Sequence, residues 1–288
     1  RGGRPGPRVR RWPSALGART APAARMPAYG AIADASIGRV PGVLGKYWNS
    51  GVVILTPSTT PEFAGLVSRS VDEGLDQVAA ITQGDISPGQ QAEGDRVVIN
   101  PKAFTALDGS GRRVVITHEI THVAVRSSTT RPVPIWLSEG MADYVGYSGL
   151  CRSRARIASE LRALVRQGKG PKALPTADDF DPAKAKIAPW YSASWLAVSR
   201  LVDLDGQAKV VSFYRAIAGR STLDSAVQLD PEAVVTQVFP QSLGVSERRF
   251  VAGWTAYLTN RSLVWGWVLG PARSGARCSE PNHGPHRP

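Results

Sequence analysis

Histidine is scarce in this chain of 288 residues, which holds four, beside two cysteines and two methionines. His283 and His286 sit in a Pro/Gly-rich stretch at the C-terminal end, so only His118 and His122 are left to the folded part. Two widely spaced cysteines, Cys151 and Cys278, exclude a disulfide framework. One bridge pinning the C-terminal segment to the body and two free thiols both fit the sequence. Long apolar runs are missing too: Val264-Trp-Gly-Trp-Val-Leu-Gly270 falls far short of the roughly 20 residues a membrane-spanning helix needs. Acids are scarce at the ends. Residues 1–25 contain seven arginines and no acid, and residues 261–288 contain four arginines and one glutamate. The net charge of +12 therefore divides into +7, +3 and only +2 for everything between. That distribution argues against a nucleic-acid groove on the fold and against a specific nucleic-acid partner.

Residues 1–30 are Arg, Pro, Gly and Ala without periodicity, and they read as a disordered basic tail open to weak membrane-surface contact. Residues 261–288 read as a second disordered basic tail. No signal peptide is visible after Arg10-Arg11-Trp-Pro, and a chain beginning at Arg1 reads as a fragment, a processed form or an extended frame with Met26 as an alternative start. Between the tails, 42% hydrophobic and 20% charged residues predict a soluble globular protein with a sizeable core.

The two histidines fall in one motif. Val115-Ile-Thr-His-Glu-Ile-Thr-His-Val-Ala-Val-Arg126 contains H-E-x-x-H as His118, Glu119 and His122. Ile116, Ile120 and Val123 recur at i, i+4 and i+7, which predicts a helix with an apolar stripe. On that helix the imidazoles lie one turn apart on one face and can hold one zinc ion, with Glu119 beside them as general base. Val114, Val115 and Ile116 lower the intrinsic helix propensity, so burial has to compensate. A second segment, Pro134-Ile-Trp-Leu-Ser-Glu-Gly-Met-Ala-Asp-Tyr144, offers Glu139 as third ligand. Asp143 follows at i+4 and can accept the free N–H of a ligating histidine.

Thr117-His-Glu-Ile-Thr-His122 resembles the zinc helix of thermolysin-type gluzincin metallopeptidases. Trp136-Leu-Ser-Glu-Gly-Met-Ala-Asp-Tyr144 resembles a segment of aminopeptidase-N-like and peptidase MA-like proteins, and the specific match runs from about Arg112 to Tyr147. The resemblance implies a zinc metallopeptidase: His118, His122 and Glu139 as ligands of Zn2+, Glu119 activating a metal-bound water, and Asp143 partnering a ligand histidine. It also favours an exported or membrane-tethered bacterial protein acting on a peptide or protein substrate. No G-x-M-E-N-like segment, which would bind a free substrate amino terminus, occurs upstream, so endopeptidase is expected over aminopeptidase. The alternative is a non-catalytic zinc-binding module of the same fold, its basic termini binding membrane surface or nucleic acid.

The implied fold is α+β and zincin-like: an N-terminal lobe with a mixed sheet over 31–167, a central zinc-binding helix, and a helical C-terminal lobe over 168–260. Strands are expected at 51–56, 76–82 and 96–100, a helix from Thr60 to about Asp72, and a polar loop over 84–94. In the resemblance, residues 96–100 or a neighbouring strand form the edge that pairs with substrate; an interior strand is the alternative. Asp108 or Ser110 is expected to cap the zinc helix. Further helices are expected at 151–167, 188–202, 206–218 and 245–258, the last capped by Ser246, with shorter pieces at 223–227 and 231–238. Residues 168–182 read as a linker. Metallopeptidases of this kind commonly bind the oxyanion with a Tyr or His from the C-terminal lobe. With no spare histidine, Tyr191 is the candidate, and a plain core aromatic is the competing reading.

Overall fold

β-branched apolar runs build a sheet, and one unusually buried helix crosses beneath it. The computed structural model describes residues 8–11, 15–19, 26–45, 48, 51–85, 92–184, 186–219 and 231–260, with the backbone alone at 8–11, 15–19 and 231–232. In chain order these hold β1 (Arg8–Arg11), β2 (Ala15–Arg19), α1 (Met26–Leu44), β3 (Val52–Thr56), α2 (Thr60–Leu66), β4 (Ala80–Asp85), β5 (Glu93–Ile99), α3 (Pro101–Ala106) and α4 (Gly109–Arg126). Then follow α5 (Ile135–Tyr147), α6 (Arg154–Ile157), α7 (Ser159–Arg166), α8 (Ala188–Asp205), α9 (Gln207–Ile217), α10 (Pro231–Leu243) and α11 (Glu247–Thr259). The protein is mixed α+β, mostly helical with a small mixed sheet. None of the described helices is long and apolar enough to cross a membrane.

The sheet order is β1-β2-β3-β5-β4. β2, β3 and β5 run parallel, while β1 and β4 are antiparallel to their neighbours. β5 is therefore interior, with Val97, Val98 and Ile99 buried in succession because both faces are covered. Of the two readings of 96–100, the structure takes the interior strand, and the neighbouring strand β4 is the edge on that side among the described residues. The expected disordered tail over 1–30 is corrected as well. β1 and β2 fall within it, and α1 starts at Met26, whose sulfur accepts a hydrogen bond from Thr56 Oγ1 at 3.1 Å.

Other boundaries shift for local reasons. α2 stops at Leu66 and not near Asp72, because Ser68 takes a left-handed φ of 53° and Arg69 N–H turns back to the Ala64 carbonyl at 3.0 Å. The strand expected from Asp76 begins at Ala80. A 3-10 turn, Leu75–Gln77, comes first, and Asn100 Nδ2 donates to the carbonyls of Leu75 and Val78 at 2.7 and 2.9 Å. The helix expected over 151–167 divides at Ala158, whose backbone leaves the helical region while its side chain is buried. Gly206, at φ 82°, separates α8 from α9. Asp108 caps α4 by accepting from Gly111 N–H at 2.6 Å, and Ser246 caps α11 by accepting from Arg249 N–H at 3.3 Å. Cys151 is disulfide-bonded. Cys278 and the segments 223–227 and 261–288 lie outside the described residues.

Two apolar cores meet at α4 and α5. Ile116, Ile120 and Val123 join Ala33, Ile37 and Val40 of α1 and Val52 and Ile54 of β3 in one core. Trp136, Leu137 and Met141 of α5 join Leu196, Leu201, Phe213 and Trp254 in the other. Every residue of α4 from Ile116 to Val125 is buried, so packing supplies what its β-branched residues withhold in propensity. The helical core already includes the inner face of α5, well ahead of residue 168.

α5 reaches α8 through a glycine. A Cβ on Gly140 would lie 2.4 Å from the Ser194 carbonyl oxygen and 2.8 Å from Val198 Cγ2. Gly140→Ala is expected to destabilise the protein by about 1–3 kcal/mol, read as a lowered midpoint in thermal or urea unfolding. Gly253→Ala on α11, where an added Cβ meets nothing within 4 Å, should be neutral or stabilise by up to about 1 kcal/mol.

Candidate metal centre

α4 and α5 cross so that the i, i+4 pair of one helix faces the i, i+4 pair of the other. His118 Nε2 and His122 Nε2 are 3.0 Å apart, and Glu139 Oε2 lies 3.1 Å from the first and 3.3 Å from the second. On the outer side of His118, Nδ1 is 2.8 Å from Asp143 Oδ1. With Nδ1–H donating to Asp143, the Nε2 lone pair of His118 faces His122 and Glu139, as metal ligation requires. His118, His122, Glu119 and Asp143 are all buried.

Three electron-rich atoms therefore converge on one point. Two imidazole nitrogens at 3.0 Å, with a carboxylate oxygen beside both, need a proton or a cation between them. Ligand atoms about 2.0–2.1 Å from a tetrahedral zinc ion sit about 3.3 Å from one another. The observed 3.0, 3.1 and 3.3 Å match that triangle closely, and an N2O donor set suits zinc. Among the described residues these three are the group of His, Cys, Asp and Glu side chains able to share an ion.

Burial disfavours charge on His118, yet Asp143 and Glu139 outweigh it and raise its pKa well above 6.5. Burial pushes the Glu139 carboxyl up, but His122 and His118 outweigh it and hold that carboxyl far below its ordinary range. Burial is the stronger influence on Asp143, whose pKa is raised against the pull of His118. Tyr191 is raised well above 10 by burial and by Glu139, Glu119 and Asp143, so it stays a neutral phenol.

The cluster floors a cleft of about 950 Å3 between β4, the loop 129–134 and the start of α8. Glu119 and Tyr191 line it beside His118, His122 and Glu139. The Tyr191 ring stands 5.9 Å from that of His118 and packs edge-on against Phe180 at 4.9 Å. The structure thus brings His118, Glu119, His122, Glu139, Asp143 and Tyr191 into one region.

Neighbours that carried no signal in the sequence are Thr82, Arg126 and Phe180. Thr82 Oγ1 donates to Glu119 Oε2 at 2.7 Å and to the Glu119 carbonyl at 3.0 Å. Arg126 Nε and Nη2 fork onto Asp95 at 2.9 and 2.8 Å, and Nη2 also reaches the Gly84 carbonyl at 3.1 Å, tying the end of α4 to β4 and β5. These partners lie far apart in sequence and belong to no spacing pattern.

No family model matches the chain, and no curated protein matches it. Among solved structures it resembles a crystal structure of a two-domain M1 zinc metallopeptidase bound to L-arginine, at 12% identity and a TM-score of 0.43. The overlap covers 83% of this chain and 47% of that one, so the chain spans about half its length. At that level the likeness carries no functional conclusion. The geometry stands by itself: the His-His-Glu cluster fits a zinc site.

Purified protein dialysed against zinc-containing and then metal-free buffer is expected to retain zinc that Glu139→Ala loses, measured by elemental analysis. Asp143→Ala should weaken zinc binding by about 10–100-fold in a chelator competition, since the His118 ring loses its orienting acceptor.

Proposed function

We propose that this chain is a zinc-dependent metallopeptidase that hydrolyses peptide bonds in the cleft, as an endopeptidase rather than an aminopeptidase. One observation carries the reading. A buried carboxylate that is not a ligand, Glu119, lines an open cleft beside a complete ligand triad. A purely structural zinc site closes its fourth position with a protein ligand and has no use for a neighbouring base.

His118, His122 and Glu139 would hold the ion, which supplies a Lewis acid for a carbonyl and lowers the pKa of water towards about 7. Asp143 keeps the Nδ1 proton of His118 and so fixes the ring with Nε2 turned inward. Glu119 accepts the proton of the attacking water and passes it to the departing amine nitrogen. Tyr191, neutral and lining the same cleft, donates its O–H to the carbonyl oxygen as charge develops there.

The preference for internal bonds rests on charge. An aminopeptidase needs a carboxylate to meet the substrate ammonium group. Among the described residues lining the cleft the carboxylates are Glu119 and Glu139, and both already have other roles. The remaining charged residues there are Arg69, Arg126 and Arg131.

Glu119→Gln is expected to keep its zinc and to lose about 10²–10⁴-fold in kcat on a peptide drawn from a broad library, followed by mass spectrometry of the products. Wild-type turnover in that variant would remove Glu119 as the base. Tyr191→Phe should lower kcat by about 10²-fold with KM little changed.

A further inference from the structure

We propose that Thr82 on β4 is a positioning residue for Glu119, acting through its hydroxyl; this rests on the peptidase reading above. Thr82 precedes Glu119 by 37 residues and sits on the edge strand. Its face is set by strand alternation. Ala80, two residues earlier, packs into the core that contains Ile116 and Ile120 of α4, while Ile81 packs on the opposite side against Phe63 and Leu75. The Thr82 side chain therefore points at α4, and Glu119 is what it meets.

The hydroxyl has one proton and shares it between two oxygens of one residue, the Glu119 carbonyl at 3.0 Å and Oε2 at 2.7 Å. Among the described residues the Glu119 carboxylate accepts no other hydrogen bond, which leaves Oε1 for proton transfer in the cleft. Glu119 adjoins His118 in sequence, and a carboxylate there could otherwise turn towards the cation as a fourth protein ligand. A glutamate also has three side-chain torsions to restrict, and a base displaced by about 1 Å can lose about 100-fold in rate. Threonine suits this position because its branched Cβ is at home in a strand and has few χ1 states, so the backbone aims the hydroxyl.

The test uses Thr82→Val, which keeps the shape and removes the hydroxyl, and Thr82→Ser, which keeps the hydroxyl. Both are assayed as zinc-loaded full chain on a peptide the wild type cleaves, with zinc content and thermal midpoint checked alongside. The expected result is a drop of about 10–100-fold in kcat for Thr82→Val, KM within about twofold, zinc content unchanged, and most of the rate restored in Thr82→Ser. A kcat for Thr82→Val within about twofold of wild type overturns the assignment and leaves the peptidase reading intact. Absence of hydrolysis by zinc-loaded wild type on the whole library overturns the peptidase reading, and this assignment with it. Independently of turnover, unfolding free energies of Thr82→Val, Glu119→Ala and the double variant in metal-free protein should be non-additive; simple additivity would overturn the hydrogen bond on which the assignment stands.

Discussion

Helix α5 packs closely against α4 and α8, and the site depends on that. On one side Gly140 lets it approach α8 until an added Cβ would meet the Ser194 carbonyl at 2.4 Å. On another, Gly146 approaches α4, where an added Cβ would stand 3.1 Å from the Val114 carbonyl and 3.7 Å from the His118 amide nitrogen. Two side chains reduced to hydrogen clamp the helix between its neighbours. Glu139 and Asp143 then present their carboxylates to His118 from a fixed distance. Close packing of this kind resists small displacements, which is what a three-atom ligand set with separations of 3.0–3.3 Å demands.

The clamp also makes burial of polar groups tolerable. His118, Glu119, His122 and Asp143 sit in an interior where an unpartnered polar atom costs about 1–3 kcal/mol. The chain answers each in turn: Asp143 takes Nδ1 of His118, Thr82 takes Oε2 of Glu119, and Glu139 faces both Nε2 atoms. The rest of α4 follows the same rule. Thr117 and Thr121 return their hydroxyls to the carbonyls of Arg113 and Thr117 at 2.7 Å each, and Ser36 of α1 stands 2.8 Å from Thr117 Oγ1. Within the site, what remains is the meeting of the two Nε2 atoms at 3.0 Å. A bound metal ion would relieve it and would couple ion affinity to folding stability there.

Much of this was legible in sequence. The H-E-x-x-H spacing, the apolar stripe of Ile116, Ile120 and Val123, and the Glu139/Asp143 pair describe events within one or two helical turns, where 3.6-residue geometry forces neighbours together. The caps at Asp108 and Ser246 are local for the same reason. The apolar run Val52–Thr56 announced a buried strand. The extent of order before residue 30 was not legible, because Arg8–Arg11 and Ala15–Arg19 have no periodic apolar pattern and gain their strand geometry from ladder partners. The break at Ala158 inside an amphipathic run was equally hidden, since the core below decides where that helix may bend.

The amino-acid sequence alone determined the donor set and its spacing: which nitrogens and oxygens are available, and which of them share a helix face. Tertiary structure alone decided what stands against that face. Whether β4 or β5 forms the sheet edge depends on which strand finds β3, and β5 does. That choice turns Thr82 towards Glu119 across 37 residues and brings Tyr191 of α8 over His118. Local spacing is dictated by backbone geometry and can be read from a string of letters. Contacts between distant segments are dictated by which apolar faces bury one another, and that is settled only when the whole chain has packed.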